Sequence, residues 1–433
     1  MNVSAVSVPY TSRVADRVTA DIARWAAARQ LAPIAVATFS LGFGIIAAAW
    51  FTETSGEAQL IGCAFLVASV STAQVARAMT GPKVTVATEW GRAACLLLAE
   101  LAAYAGLAAG GGQALDGLTG PFGPMLRSTI VDRAAGHGSA GAWLLAVLAA
   151  VILVLLHVAD LCQAGPSASL PRLGSARLLL AGLALLLAGP RVALLVAIVF
   201  SLLGLLHALV RHGSTGDTGS GDAPGATVVA GYRGDGPLSA WIGGFVEGRL
   251  PPLTPLLVGL LVTCMLAALG LRNLPGILVL TPAEAMLLAA LGSSHLHDGR
   301  GDWRVPPLLQ AGEYVFLAAA CYAGHAPAYV AFGLIAAVGL RHLDMAYRAR
   351  NRVPLSWFMT RRPSRLPRAD WRGLGWEGRI ILVGLALLLG ITPLACMVLA
   401  AYLALLSALD FLGGWSNASL VAARMGGRPL TGR

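Results

Sequence analysis

Charge is scarce in this chain. Lys, Arg, Asp and Glu make up 12% of its 433 residues, whereas a soluble domain carries about 25%. Hydrophobic residues reach 57% and the mean hydropathy is +0.72. That balance excludes an ordinary soluble enzyme, a disordered chain and a disulfide scaffold. Acid is scarcer than base, with 21 Asp plus Glu against 31 Lys plus Arg. A net charge of +10 does not imply nucleic acid, because basic residues also set membrane topology. Cysteine is sparse too. Cys63, Cys95, Cys162, Cys264, Cys321 and Cys396 include no CxxC pair, and all lie in or beside apolar runs, so they read as small core hydrophobes. There is no GxxxxGK[ST] phosphate loop, no HExxH and no GxSxG, and the GxG pairs lack a βαβ context. The first 30 residues hold Arg13, Asp16, Arg17, Asp21, Arg24 and Arg29 without the apolar stretch of a signal peptide.

What the chain does have is long apolar runs. The first group covers about 31–51, 58–79, 93–112, 141–163, 176–189 and 191–210. The second covers about 254–271, 274–292, 305–323, 326–341, 378–391 and 393–413. About 20 residues cross the hydrocarbon core as a helix. The shorter runs, broken at Gly189-Pro190 and Thr392-Pro393, read as tight helical hairpins. The expectation is an all-α polytopic membrane protein with six plus six spans. Thr11 to Arg29 reads as a basic amphipathic helix with Val14, Val18, Ile22 and Trp25 on one face, suited to the membrane surface. With the N-terminus placed in the cytoplasm, only Arg127, Arg133, Arg191 and Arg272 of the 31 basic residues fall in outside loops. The remaining 27 fall inside. That asymmetry predicts a multi-pass protein of the cell membrane with both termini cytoplasmic. The loop from Arg341 to Arg379 holds the densest basic run and is suited to gripping anionic lipid headgroups as well as to setting topology.

Residues 213–237 are rich in Gly, Ser, Asp and Thr and read as a flexible linker. They separate domains at 1–212 and 238–433. The two halves align in four places. Arg29 to Pro33 matches Arg249 to Pro255 ahead of the first span of each half. Glu89-Trp90, with Glu100 eleven residues after Glu89, matches Asp302-Trp303 with Glu313. LHVAD ending at Asp160 matches LRHLD ending at Asp344. RLLLAGLALLLAG from Arg177 matches RIILVGLALLLGI from Arg379. The charged positions carry weight, because membrane-embedded charges are rare and costly. They predict a tandem duplication of one six-helix unit. Gly106 and Gly110, four residues apart, suggest close helix packing.

Each half resembles the six-helix module of the CDP-alcohol phosphatidyltransferases, a family with an interfacial N-terminal helix and a DxxDGxxAR…GxxxDxxxD signature on its second and third spans. Ala76-Arg77 sits where the AR of that signature falls, and Glu100 with Tyr104-Ala-Gly-Leu-Ala108 sits at the tail of the third span. HLHDGRGDW (295–303), LLQAGEY (308–314) and RHLDMAYR (341–348) make the second half similar to a diverged module of unassigned function that follows such transferase modules in high-GC bacteria. The resemblance implies a membrane enzyme of phospholipid or polar-lipid synthesis. In that family aspartates hold Mg²⁺ or Mn²⁺, the metals hold the CDP-alcohol diphosphate, and an acid serves as base.

The first half departs from that pattern. Its four aspartate positions are Ser69, Thr72, Trp90 or neighbouring Glu89, and Ala93 or Ala94, and the motif glycine is Ala73. It is therefore expected to be an inactive pseudo-domain. The second half keeps Asp298 and Asp302, which share a face if helical, as candidate metal ligands and, with Glu313, as candidate catalytic acids. Arg300, Arg304, Arg379 and Asp344 are candidate substrate-binding residues. Each has a plainer reading. Asp298 and Asp302 also fit a solvated turn. Glu313 and Glu100 also fit ion pairs with arginines such as Arg304 or Arg92. Asp160 and Asp344 also fit caps or pairs with loop arginines, and Arg177 and Arg379 also fit anchors in the headgroup layer. The alternative to a transferase is a scaffold for a lipid-synthesis enzyme, alone or as a homodimer. A transporter is a third reading, disfavoured because the acids gather at one face rather than at the midplane.

Overall fold

A computed structural model describes residues 10–79, 86–113, 139–162, 170–214, 233–239, 241, 253–269, 283–284, 304–350 and 372–424. Among the described residues the chain is all-helical, with no strand. The helices are α1 (Tyr10–Ala28), α2 (Pro33–Phe51), α3 (Gly56–Ala78), α4 (Val86–Gln113), α5 (Ser139–Cys162), α6 (Leu170–Ala188) and α7 (Pro190–Ser214). They continue with α8 (Leu253–Leu269), α9 (Val305–Ala323), α10 (Ala328–Arg350), α11 (Gly375–Leu388) and α12 (Thr392–Arg424). Among the described residues seven helices are long and apolar enough to cross a membrane: α2, α3, α4, α5, α7, α10 and α12. The stretches Ala176–Ala188 and Leu256–Met265 are apolar but shorter. The chain is thus a polytopic membrane protein. Of the twelve apolar runs, 274–292 lies almost wholly outside the described residues.

Local sequence explains the helix ends. Pro33 opens α2, and the Ser55 hydroxyl caps α3 by accepting from the Ala58 N–H at 3.3 Å. Both expected hairpins form. Gly189, at φ 99°, turns α6 into α7, and Gly390, at φ 72°, turns α11 towards α12. Side chains larger than hydrogen rarely adopt such angles.

Helix α1 buries Ala23 and Ala26, and Ala23 joins Val36, Ala37, Val75, Ala76 and Cys95 in a small cluster. Its larger apolar residues turn the other way, and Trp25 is 57% exposed. Val18 and Ile22 share that outward face, and the Arg29 guanidinium lies 5.6 Å from the Trp25 ring. The stripe faces away from the bundle, as a surface-lying helix requires.

Helices α2 and α4 pack backbone to backbone. A Cβ on Gly106 would lie 2.3 Å from the Ala48 carbonyl oxygen, and one on Gly110 would lie 2.1 Å from that of Phe51. The main core then runs through α4, α5, α6 and α7 and on into α9, α10, α11 and α12. Helix α5 lies along α10. Around that contact α4 touches α10, and α9 touches α5. Trp143 stands edge-on to Phe332 with ring centroids 5.7 Å apart. Lower on the same seam, a Cβ on Gly339 would come within 2.6 Å of the Val154 side chain.

Candidate functional site

Buried carboxylates on apolar helices mark the sites where chemistry is expected. Glu313 on α9 is 0% exposed, as is Arg379 at the start of α11. The Arg379 Nε donates to Glu313 Oε1 at 2.6 Å, and its Nη2 donates to Oε2 at 3.1 Å. The third nitrogen, Nη1, donates to the Gly373 carbonyl at 2.8 Å. Arg379 Nη2 also lies 3.1 Å from His342 Nε2 on α10. The same His342 Nε2 lies 3.3 Å from Glu313 Oε2, so the imidazole edge faces both members of the ion pair. Its Nδ1 is hydrogen-bonded to the Tyr314 hydroxyl at 2.7 Å. One buried network therefore ties α9, α10 and α11 together.

The first half holds a matching pair. Arg177 on α6 donates through Nη2 to Glu100 Oε2 on α4, and both side chains are buried. Its Nη1 donates to the Ser201 hydroxyl on α7 at 3.2 Å. Sequence predicted an ion pair for each glutamate but looked to the nearest arginines in the chain. The partners are instead Arg177 and Arg379, 77 and 66 residues away. Arg304 is exposed at the start of α9.

A second cluster joins α10 to α12. Arg348 Nε donates to both Asp344 oxygens, at 2.8 and 2.9 Å. Arg341 Nη1 donates to Asp344 at 3.2 Å and to Asp410 at 2.7 Å. Sequence reading missed Asp410, although a lone acid inside the last apolar run was a signal for it. The pairs of Asp344 are helix-borne rather than loop-borne. His157 lies in an ordinary helical contact, with Nδ1 2.9 Å from the Leu153 carbonyl oxygen.

Both ends of the expected 213–237 linker belong to the described part of the chain. Helix α7 continues to Ser214, and residues 233–239 pack onto α11. Glu377 accepts from the backbone N–H groups of Gly236 at 3.0 Å and Ser239 at 3.1 Å. Trp376 Nε1 donates to Asp235 at 2.8 Å, and Arg233 Nε donates to the other oxygen of Asp235 at 2.7 Å. Glu377 lies before the apolar stretch of α11. Burial raises its carboxyl pKa above the usual range, and the two backbone donors partly offset the shift.

The signature positions of the first half do not fit a divalent metal. Ser69 Oγ donates to the Ser40 carbonyl and Ser40 Oγ donates to that of Ser69, each at 2.8 Å, stitching α2 to α3. Thr72 Oγ1 donates within its own helix to Ala68 at 2.7 Å. Glu89 is exposed and Trp90 buried. Neutral hydroxyls already committed to carbonyls cannot supply the anionic oxygens that Mg²⁺ or Mn²⁺ requires. Asp298, Arg300 and Asp302 lie outside the described residues. Among the described residues no three His, Cys, Asp or Glu side chains gather closely enough to hold a metal.

No curated protein and no solved structure matches this chain. Residues 225–429 match a family of unknown function (DUF5941), and the matched stretch takes in the segment at 233–239 as well as the helices on which it packs.

Proposed function

We propose that this chain is two fused six-helix modules of the CDP-alcohol phosphatidyltransferase type, turned from catalysis towards a scaffolding role in the membrane. The observation that carries this reading is the buried Glu–Arg pair found twice. It joins α4 to α6 in the first half and α9 to α11 in the second, at the positions the internal repeat aligns. A metal-dependent transferase needs carboxylates free to meet cations and phosphates. Here Glu100, Glu313 and Asp344 are neutralised by arginines of the same fold, and the serine at the first signature position stitches helices. On this reading both termini are cytoplasmic, anionic lipid headgroups meet the basic inner loops, and the partner is a lipid-synthesis enzyme of the same membrane.

The i,i+4 acids Asp298 and Asp302 favour a second reading. In it the second half transfers a phospho-alcohol group from a CDP-alcohol at its cytoplasmic face, with Mg²⁺ or Mn²⁺. One experiment separates the two. The purified protein is incubated with a labelled CDP-alcohol, mixed acceptor lipids and Mg²⁺ or Mn²⁺, and CMP is measured. The scaffold reading expects no release above a blank and a second membrane protein retained on purification. Release that stops with chelator and with Asp298→Asn plus Asp302→Asn would replace it by the transferase reading.

A further inference from the structure

Two cysteines that lie far apart in sequence meet at the hairpin end of the second half. Cys321 is one turn from the end of α9, and Cys396 is one turn into α12. Their sulfurs lie 3.4 Å apart although 75 residues separate them in the chain. Both side chains are buried, and both cysteines are free thiols. The backbones also approach closely here. A Cβ on Gly324 would lie 2.3 Å from Thr392 Oγ1, and Gly324 and Thr392 sit three and four residues from the two cysteines. Such proximity is what a disulfide needs, since its sulfurs bond at about 2.05 Å. The first half has no counterpart. At the offsets that align Glu100 with Glu313 and Arg177 with Arg379, the equivalent residues are Ala108 and Leu194. Ordinary apolar packing therefore fills this place in one half, and a thiol pair fills it in the other.

We infer that Cys321 and Cys396 form a disulfide that staples α9 to α12. Two S–H bonds break and one S–S bond forms. The two protons and two electrons pass to a disulfide-bearing oxidant, which leaves as its dithiol. One thiolate attacks that oxidant to give a mixed disulfide, and the second cysteine displaces it. The loops at 324–326 and 391–393 lie outside the cytoplasm on the topology of the proposed function, and the assignment of an oxidising compartment rests on that reading. Closing so long a loop restricts the unfolded chain strongly.

The test uses the intact protein in its membrane. Thiols are blocked with N-ethylmaleimide under denaturing conditions, before and after exposure to oxidised glutathione. Peptides are then mapped with and without reduction. The expected result is one non-reduced species joining the Cys321 and Cys396 peptides, lighter by two hydrogen atoms than the two thiol peptides, and absent in Cys396→Ser. The cysteines at 63, 95 and 264 take the first label. Full alkylation of Cys321 and Cys396 in both conditions would overturn the proposal. A His325→Cys variant probed with a membrane-impermeant maleimide reports separately which side the loop faces, so a wrong orientation is distinguished from a thiol pair that does not close.

Discussion

A glutamate in an apolar helix is tolerable only when its charge is answered inside the fold. Glu313 is answered by two nitrogens of Arg379, and Glu100 by Arg177, whose other terminal nitrogen is held by the Ser201 hydroxyl. Breaking such a pair strands a buried charge, at a cost of about 3–5 kcal/mol. Glu313→Gln and Arg379→Met, each alone, are therefore expected to lower the melting temperature in detergent sharply. The double variant should recover much of the loss, since a neutral pair leaves nothing stranded. Glu100→Gln and Arg177→Met should repeat the pattern. Equal losses in the single and double variants would show that the pair is not coupled. The sequence made the four residues conspicuous, because charges are few and these recur at matched positions. It could not make the partners legible. Which helices neighbour one another is decided by packing over many tens of residues, so the nearest arginine along the chain was a poor guide.

Between helices, the backbone contact of α2 with α4 sets a sharper expectation. Gly106→Ala places a methyl against a carbonyl oxygen that cannot retreat, so overpacking is expected to cost about 1–3 kcal/mol. Gly42→Ala in the middle of α2 meets nothing within 4 Å and should be neutral or stabilising by up to about 1 kcal/mol. Thermal melts should show a clear drop for Gly106→Ala and none for Gly42→Ala. The spacing of Gly106 and Gly110 was readable as a packing motif because small residues four apart share a helical face. The docking of 233–239 was not. Its Gly- and Asp-rich composition signals a loop, and nothing local says that Glu377, far along the chain, accepts its N–H groups. Arg233 is only 1% exposed, so trypsin should spare it in the wild type. Glu377→Ala should release the segment and open cleavage at Arg233. The pH dependence follows from the raised pKa of Glu377. Its contribution to stability is greatest in acid and falls as the pH rises through that pKa, so the segment should be held more firmly at mildly acidic than at neutral pH, as read by slower tryptic cleavage there.

For the whole molecule, composition and apolar runs made an all-helical membrane protein legible, and the apolar runs fall on helices wherever the structure describes them. Seven of those helices pass a spanning test by length and apolarity. The short ones, such as α11, lean on hairpin partners instead, which run length alone does not reveal. The candidate site was legible in part. Glu313, Asp344 and Arg379 sit in buried networks, whereas Asp298, Arg300 and Asp302 lie outside the described residues. The seam formed by α5 on α10, flanked by α4 and α9, has a further consequence. The two ends of the molecule adhere through apolar side chains such as Trp143 and Phe332, not through the peptide that connects them. A nick between Ser214 and Arg233 should therefore be silent: co-expressed fragments are expected to be pulled down as one particle, each insoluble or short-lived without its mate. Covalent continuity would then be a matter of matched dosage, one copy of each piece per ribosome pass, rather than of architecture.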